Sequence, residues 1–257
     1  MGNTCNDTIF FCKISLAGKK IEIESRNKHV LALCKNYLDQ FEHPDFVIQA
    51  SQSEIDQEMQ NVYGSFLHKK TAEKEIAAEC TGIESNVIYR KIADAMLNCE
   101  TILMHGAAIA VDQKCYVFIA PSGTGKTTQI NHWLDCIPGT IVVNGDKPLV
   151  NVKTELVYGT PWCGKEGMNS NAAAKLAGII IVERSKTNSI IPISFKEMLP
   201  SLLKQVYIPE EENKKIQAYK LIGQLADVSC YRLLCNINRE SAIIAYDGIK
   251  KNERNKE

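Results

Sequence analysis

Residues 120–127 read Ala-Pro-Ser-Gly-Thr-Gly-Lys-Thr, and each residue type in that run suits a bound phosphate. Gly123 and Gly125 leave successive backbone N–H groups free to curl around an anion, at the positive end of a following helix. Lys126 adds a mobile ammonium for β- and γ-phosphates, and the Thr127 hydroxyl is a ligand for Mg²⁺. Pro121, Ser122, Thr124 and Thr128 complete the stretch expected to touch a nucleotide. This is the Walker A pattern of a P-loop with Ala120 in place of the usual first glycine. The bland alternative is a glycine-rich turn between a strand and a helix. The flanks favour phosphate: an apolar strand is expected over residues 115–120 and a helix over 127–134.

Several further positions could take part in the chemistry. Asp146 follows a β-branched strand expected at 140–144, where it could hold Mg²⁺ through a water or accept the proton of an attacking hydroxyl. In Asn-Gly-Asp-Lys-Pro it also suits a turn, but its position after the crossover strand favours the functional reading. His105 lies on an apolar strand expected over 102–111, either as a satisfied core residue or as a cation beside a γ-phosphate. Glu166 could be a second metal ligand and Lys165 a phosphate clamp, or both could belong to a solvated loop. In the same loop Trp162 and Cys163 would pack or line a pocket. A Cys163 nucleophile needs a basic partner, and His132, on the helix after the loop, is badly placed to be one. Arg184 could reach a phosphate, stack on a base or remain a surface charge; Arg232 and Arg239 are weaker candidates.

Two hairpins should bring these residues together. A turn at 112–114 folds 102–111 against 115–120 and sets His105 opposite Pro121 or Ser122, at the mouth of the loop. A second hairpin, 149–152 with 155–158, brings Asp146 near Pro161 and Trp162, and with them the loop 159–167. A helix at 127–134 between the strands 115–120 and 140–144 makes a crossover unit with an acidic residue at the far strand's end, the usual site layout of α/β nucleotide enzymes. Residues 176–183 form a further buried strand. Helices are expected at 195–206, 211–226 and 239–248, a strand at 228–236, and a frayed tail from 250. Ahead of all this, residues 1–82 read as a small α/β lobe: strands at 10–16 and 20–23 about Ala17-Gly18, a helix at 29–38, a strand at 46–50 and a capping box at Ser51–Glu54. Residues 62–82 show no pattern, and a helix is expected over 85–97.

The 257 residues suffice for a large core, and 45% hydrophobic with 23% charged residues is ordinary for a globular chain. Zero net charge argues against nucleic acid or an anionic membrane as partner. None of the ten cysteines forms a Cys-x-x-Cys pair, so neither a zinc site nor a disulfide framework is indicated. With no apolar run of membrane-spanning length, a reduced, cytoplasmic protein is expected.

His105-Gly106 on a strand, a hairpin into residues 122–127, and Asp146 after one short crossover together resemble the HPr serine kinase/phosphorylase family, which shares its core with ATP-dependent phosphoenolpyruvate carboxykinases. The similarity covers about residues 100–185 and extends to the strand and helix near 228–247. It is closest to the small HPr-kinase-like proteins that accompany ribosomally made, modified peptides. The resemblance implies an α/β fold, a P-loop kinase core with a mixed sheet at 83–257 behind the N-terminal lobe at 1–82. It implies ATP and Mg²⁺, and transfer of the γ-phosphate to a Ser or Thr hydroxyl of a peptide or small protein. His105, Lys126, Thr127 and Asp146 fall on its motif positions, with Asp146 as general base. Residues 166–169, Glu-Gly-Met-Asn, loosely match a glycine-containing signature loop without its arginine. The family ends its acidic strand with two aspartates; here Gly145 precedes the single Asp146, which puts the reverse, phosphorylase reaction in doubt. A nucleotide sensor without catalysis and a small-molecule kinase are the competing readings, and a homo-oligomer is left open.

Overall fold

The computed structural model describes residues 8–63 and 73–254, with side chains in 8–62 and 82–254. The chain divides into two units, Met1–Ala95 and Met96–Glu257. In the first, β1 (Phe10–Leu16) and β2 (Lys19–Ser25) form an antiparallel hairpin. Ala17 and Gly18 at its turn both have positive φ, 50° and 74°, as a two-residue loop matched to strand twist requires. Then come α1 (Lys28–Cys34), capped by Asn27, and β3 (Phe46–Gln49), parallel to β2. Period-two alternation buries Cys12, Ile14, Leu16, Ile21, Ile23 and Ile48.

The expected capping box opens α2 (Gln52–Tyr63): the Ser51 hydroxyl accepts from the Glu54 N–H at 3.3 Å, and the Glu54 carboxylate accepts from the Ser51 N–H at 2.8 Å. The next helix, α3 (Glu73–Leu97), begins well before residue 85, inside the stretch that shows no sequence pattern. Its first half mixes charged and small residues without an apolar stripe. Cys5, and the tail residues 255–257, lie outside the described residues; so does the side chain of Cys80.

The second unit is built on a nine-stranded mixed sheet. In chain order it contains β4 (Thr101–Leu103), β5 (Ala107–Val111), β6 (Lys114–Ile119), α4 (Lys126–Cys136), β7 (Ile141–Asn144), β8 (Leu149–Asn151) and β9 (Leu156–Tyr158). There follow β10 (Ala173–Arg184), β11 (Ser189–Ile193), α5 (Phe195–Leu203), α6 (Glu212–Gly223), β12 (Cys230–Cys235) and α7 (Glu240–Arg254). The strand order is β4-β8-β9-β10-β6-β5-β7. On the side of β10 away from β6, its first residues pair with β9 and its last six with β12, which carries β11 at the edge. The fold is therefore mixed α/β.

Helices cover both faces, and this explains the unbroken apolar runs of the central strands. On β6, Cys115, Val117 and Ile119 enter a core with Met198 and Leu202 of α5 and Leu221 and Ile222 of α6. The alternate residues Tyr116 and Phe118, with Ala120 just beyond, face Ile130 and Trp133 of α4 and Ala245 and Ile249 of α7. Trp133 packs edge-on to Phe118 and Tyr246, ring centroids 5.6 and 5.8 Å away, and so seats α4 on the sheet.

Three expectations are corrected, and one strand was not expected at all. Residues 102–111 are two strands, because the backbone at 104–106 bonds elsewhere: Met104 N–H to the Pro148 carbonyl, His105 N–H to Gln205 and Gly106 N–H to Asp146. The helix expected over 195–206 ends at Leu203, and Val206 bridges to Met104. The C-terminal helix continues to Arg254 instead of fraying at 250, held by Lys250 to Asp112 at 3.1 Å and by Glu253 to Lys114 at 2.8 Å. Finally β11 has no sequence signal: it is a half-exposed edge strand carrying Pro192, where no ladder bond is needed on the outer side.

Candidate functional site

Three neighbouring strands end at one edge of the sheet. β6 and β7 both run antiparallel to β5, which lies between them, so their C-terminal ends and the start of β5 coincide. The glycine-rich loop leaves β6, Gly145-Asp146-Lys147 leaves β7, and His105-Gly106 leads into β5.

Gly123 and Gly125 have φ of 76° and 131°, values only glycine adopts without strain, and Gly125 is the N-cap of α4. The first turn of an 11-residue helix thus points its N–H groups into the loop. Lys126 is buried, and its ammonium donates to the Ala120 carbonyl at 2.8 Å. Burial lowers its pKa and Lys147 lowers it further, while Asp146 opposes both. Arg184, at the end of β10, donates to the loop carbonyls of Gly123 and Thr124 and braces the loop from outside.

Asp146 is set by the residue two before it. Asn144, fully buried, accepts from the N–H groups of Asp146 (2.8 Å) and Lys147 (2.6 Å), while its amide donates to the Thr160 carbonyl and hydroxyl at 3.0 and 3.1 Å. Thr160 in turn donates to the Lys147 carbonyl at 2.8 Å. The Asp146 carboxylate is held at both oxygens: Oδ1 lies 3.1 Å from His105 Nε2, and Oδ2 lies 2.7 Å from Lys147 Nζ. Burial would raise its pKa, yet the hydrogen bonds from His105 and Lys147 outweigh burial and hold it down at about 2.

The 159–167 loop closes the other side, as the second hairpin requires; its register, Leu149 opposite Tyr158, is the expected one. A Cβ on Gly164 would sit 3.3 Å from Asp146 Cβ, and one on Gly145 would meet the Cys163 carbonyl at 2.8 Å. So the site has no room for a second carboxylate at position 145. Trp162 and Cys163 are buried, whereas Lys165 and Glu166 are exposed. Burial pushes the Cys163 thiol up, and Asp146 and Glu166 push it the same way, which disfavours a thiolate nucleophile.

His105, Ser122, Gly123, Gly125, Lys126, Thr127, Thr128, Asp146, Lys165 and Glu166 all line one cavity of about 550 Å³, together with Lys147 and Gly164. A second cavity of about 440 Å³ shares Gly123, Gly125 and Thr128 with it, and adds Thr124, Gln129, Arg184, Asn236 and Ile237. Pro121 is exposed at the loop's start. Elsewhere, His132 hydrogen-bonds with Ser241 at 3.3 Å, Arg232 pairs with Glu183 and Arg239 with Asp135, and none of them lines the main cavity. His105 reaches the site by a route other than the expected one. Ala107 pairs with Phe118, one residue off the predicted register, and the histidine lies outside that ladder, turned to Asp146.

Sequence reasoning missed Lys147 and Asn144. Adjacent residues on a strand point to opposite faces, so Lys147 beside Asp146 carried no signal; only the turn puts both in one cavity. Asn144 could have been found, since asparagine two residues before the aspartate of a turn is a frequent acceptor for its N–H. Among the described residues no group of three or more His, Cys, Asp or Glu converges as a metal site. No described helix is long and apolar enough to cross a membrane. Neither a protein-family model nor a curated protein sequence matches the chain.

Proposed function

We propose that the protein is an ATP-dependent, HPr-kinase-like phosphotransferase that moves the γ-phosphate to a Ser or Thr hydroxyl of a peptide or small protein. One observation carries the reading: a glycine-rich helix N-terminus with its lysine, and an aspartate just beyond β7, which runs parallel to β6 with β5 between them, open into the same cavity. The triphosphate would lie on residues 122–128, with the nucleoside extending across Thr128 into the adjoining cavity. Asp146 would orient the acceptor hydroxyl and take its proton as the oxygen bonds to the γ-phosphorus and the bond to the β-phosphate oxygen breaks, releasing ADP. Lys126 and His105 would neutralise the transferring group.

The donors suit Mg²⁺ held jointly with a nucleotide better than a free-standing metal. Such an ion keeps several waters and phosphate oxygens and needs only one or two protein oxygens, here the Thr127 hydroxyl and Asp146, with Glu166 at the rim. It would supply charge neutralisation between β- and γ-phosphates.

A second reading, a nucleotide sensor without catalysis, draws on the fact that both Asp146 oxygens are engaged in ion pairs. Asp146→Asn separates the two. With labelled ATP and a Ser-containing peptide from a neighbouring gene as acceptor, the kinase reading expects transfer to drop by about 10²-fold or more with nucleotide affinity within a few-fold of wild type. Wild-type protein that binds ATP, transfers no phosphate to any hydroxyl and only changes conformation would establish the sensor instead.

A further inference from the structure

Lys147 is the best-placed side chain that the proposed reaction does not use. Its side chain is only 19% exposed, and its Nζ sits 2.7 Å from Asp146 Oδ2. Its backbone is pinned at both ends, by Asn144 at the N–H and by Thr160 at the carbonyl. Only the flexible four-carbon stem is therefore free to move the ammonium. It lines the same cavity as Lys126, and the two cations feel each other, since Lys147 lowers the pKa of Lys126.

Two ammonium groups lining one cavity repel, and an anion that meets them offsets the repulsion. Asp146 supplies one such anion. With Lys147 at Oδ2 and His105 at Oδ1, the carboxylate's charge is offset at both oxygens, which weakens it as a base for a hydroxyl proton. Freeing Oδ2 requires Lys147 to find a replacement anion of comparable charge within reach of its stem. The terminal phosphoryl group of a nucleoside triphosphate is the anion that the proposed reaction brings to the cavity.

We infer that Lys147 exchanges partners, leaving Asp146 for the γ-phosphoryl group of a bound nucleoside triphosphate, so that triphosphate binding itself uncovers the aspartate. The inference rests on the phosphotransfer reading. Lys126, on the loop, would meet the β-phosphate of either nucleotide as well as the γ-phosphate; Lys147 would meet the third phosphate alone.

Binding of MgATP and MgADP to wild type, Lys147→Gln and Lys147→Arg, followed by calorimetry, tests this. The expected result for Lys147→Gln is an ATP affinity lower by about tenfold or more, the scale of one charge-assisted hydrogen bond, with ADP affinity within about twofold. Lys147→Arg should recover part of the preference for ATP. Equal losses for both nucleotides, or no loss for either, would overturn the role and leave Lys147 a mere counter-ion. Should Lys147→Gln not fold, amine-reactive labelling of wild type with mass-spectrometric readout at Lys147 serves instead: protection by MgATP beyond that by MgADP is expected, and equal protection overturns it. Wild-type protein that binds neither nucleotide would defeat the phosphotransfer reading itself, a result distinct from either of those.

Discussion

Asn144→Ala is the perturbation that most directly probes how the site is held. The asparagine is fully buried and makes four hydrogen bonds: two accepted from the Asp146 and Lys147 N–H groups, two donated to Thr160. Alanine deletes all four. The Thr160 carbonyl keeps the Asn169 amide at 2.8 Å, so the main cost falls on two N–H groups at a half-buried turn. At about 1–3 kcal/mol per stranded buried donor, discounted for partial access to water, the loss is about 2–4 kcal/mol. For a unit of this size that lowers Tm by roughly 5–15 °C. Asp146 would also lose its fixed direction, and on the proposed phosphotransfer reading a misplacement of about 1 Å would cost about 10²-fold in transfer rate. Thermal unfolding beside nucleotide binding and phosphate transfer measures these separately. A Tm within about 2 °C of wild type would refute the claim that Asn144 organises the turn.

Three other outcomes follow from particular contacts. Gly159→Ala places a Cβ 1.9 Å from the Ser170 carbonyl oxygen and 2.5 Å from that of Val143, both backbone, so destabilisation of about 3 kcal/mol or more is expected in denaturant unfolding. Gly145→Asp, which would supply a second carboxylate, should likewise destabilise the protein and confer no reverse reaction in a phosphopeptide-plus-phosphate assay, since its Cβ would meet the Cys163 carbonyl at 2.8 Å. In the first unit, burial works to raise the Glu54 pKa, but bonds from Lys91 and Ser51 lower it from 4.5 to about 2. A depressed carboxylate pKa contributes stability above the unfolded value and loses it as pH falls through the folded one. The deficit of Glu54→Gln should therefore be largest above pH 4.5 and shrink towards pH 2, and with 40% of the side chain exposed it should not exceed about 1 kcal/mol. A deficit that grew on acidification would contradict the pairing.

Much of this protein is legible in one dimension because the signals are local. The loop at 120–127 announces itself through glycines that must take positive φ and a lysine that opens the helix, and both appear as expected. The second hairpin fixes its own register through a short turn, so Asp146 beside the 159–167 loop follows from the chain alone. The alternating faces of β6 require two covering layers, and α4–α7 provide them.

Other features depend on groups far apart in sequence. Residues 102–111 look like one strand because the bonds that break them come from Asp146, Pro148 and Gln205. The ion pairs of Asp146 with His105 and Lys147 exist only because three strand ends meet at one sheet edge and a turn reverses the usual alternation. Residue types and spacing determined that a phosphate could be cradled at 120–127. Which charges surround the aspartate opposite it, and that no second carboxylate fits beside it, was decided by distant backbone packed so closely that a Cβ at residue 145 would meet the Cys163 carbonyl at 2.8 Å, a constraint no local pattern encodes.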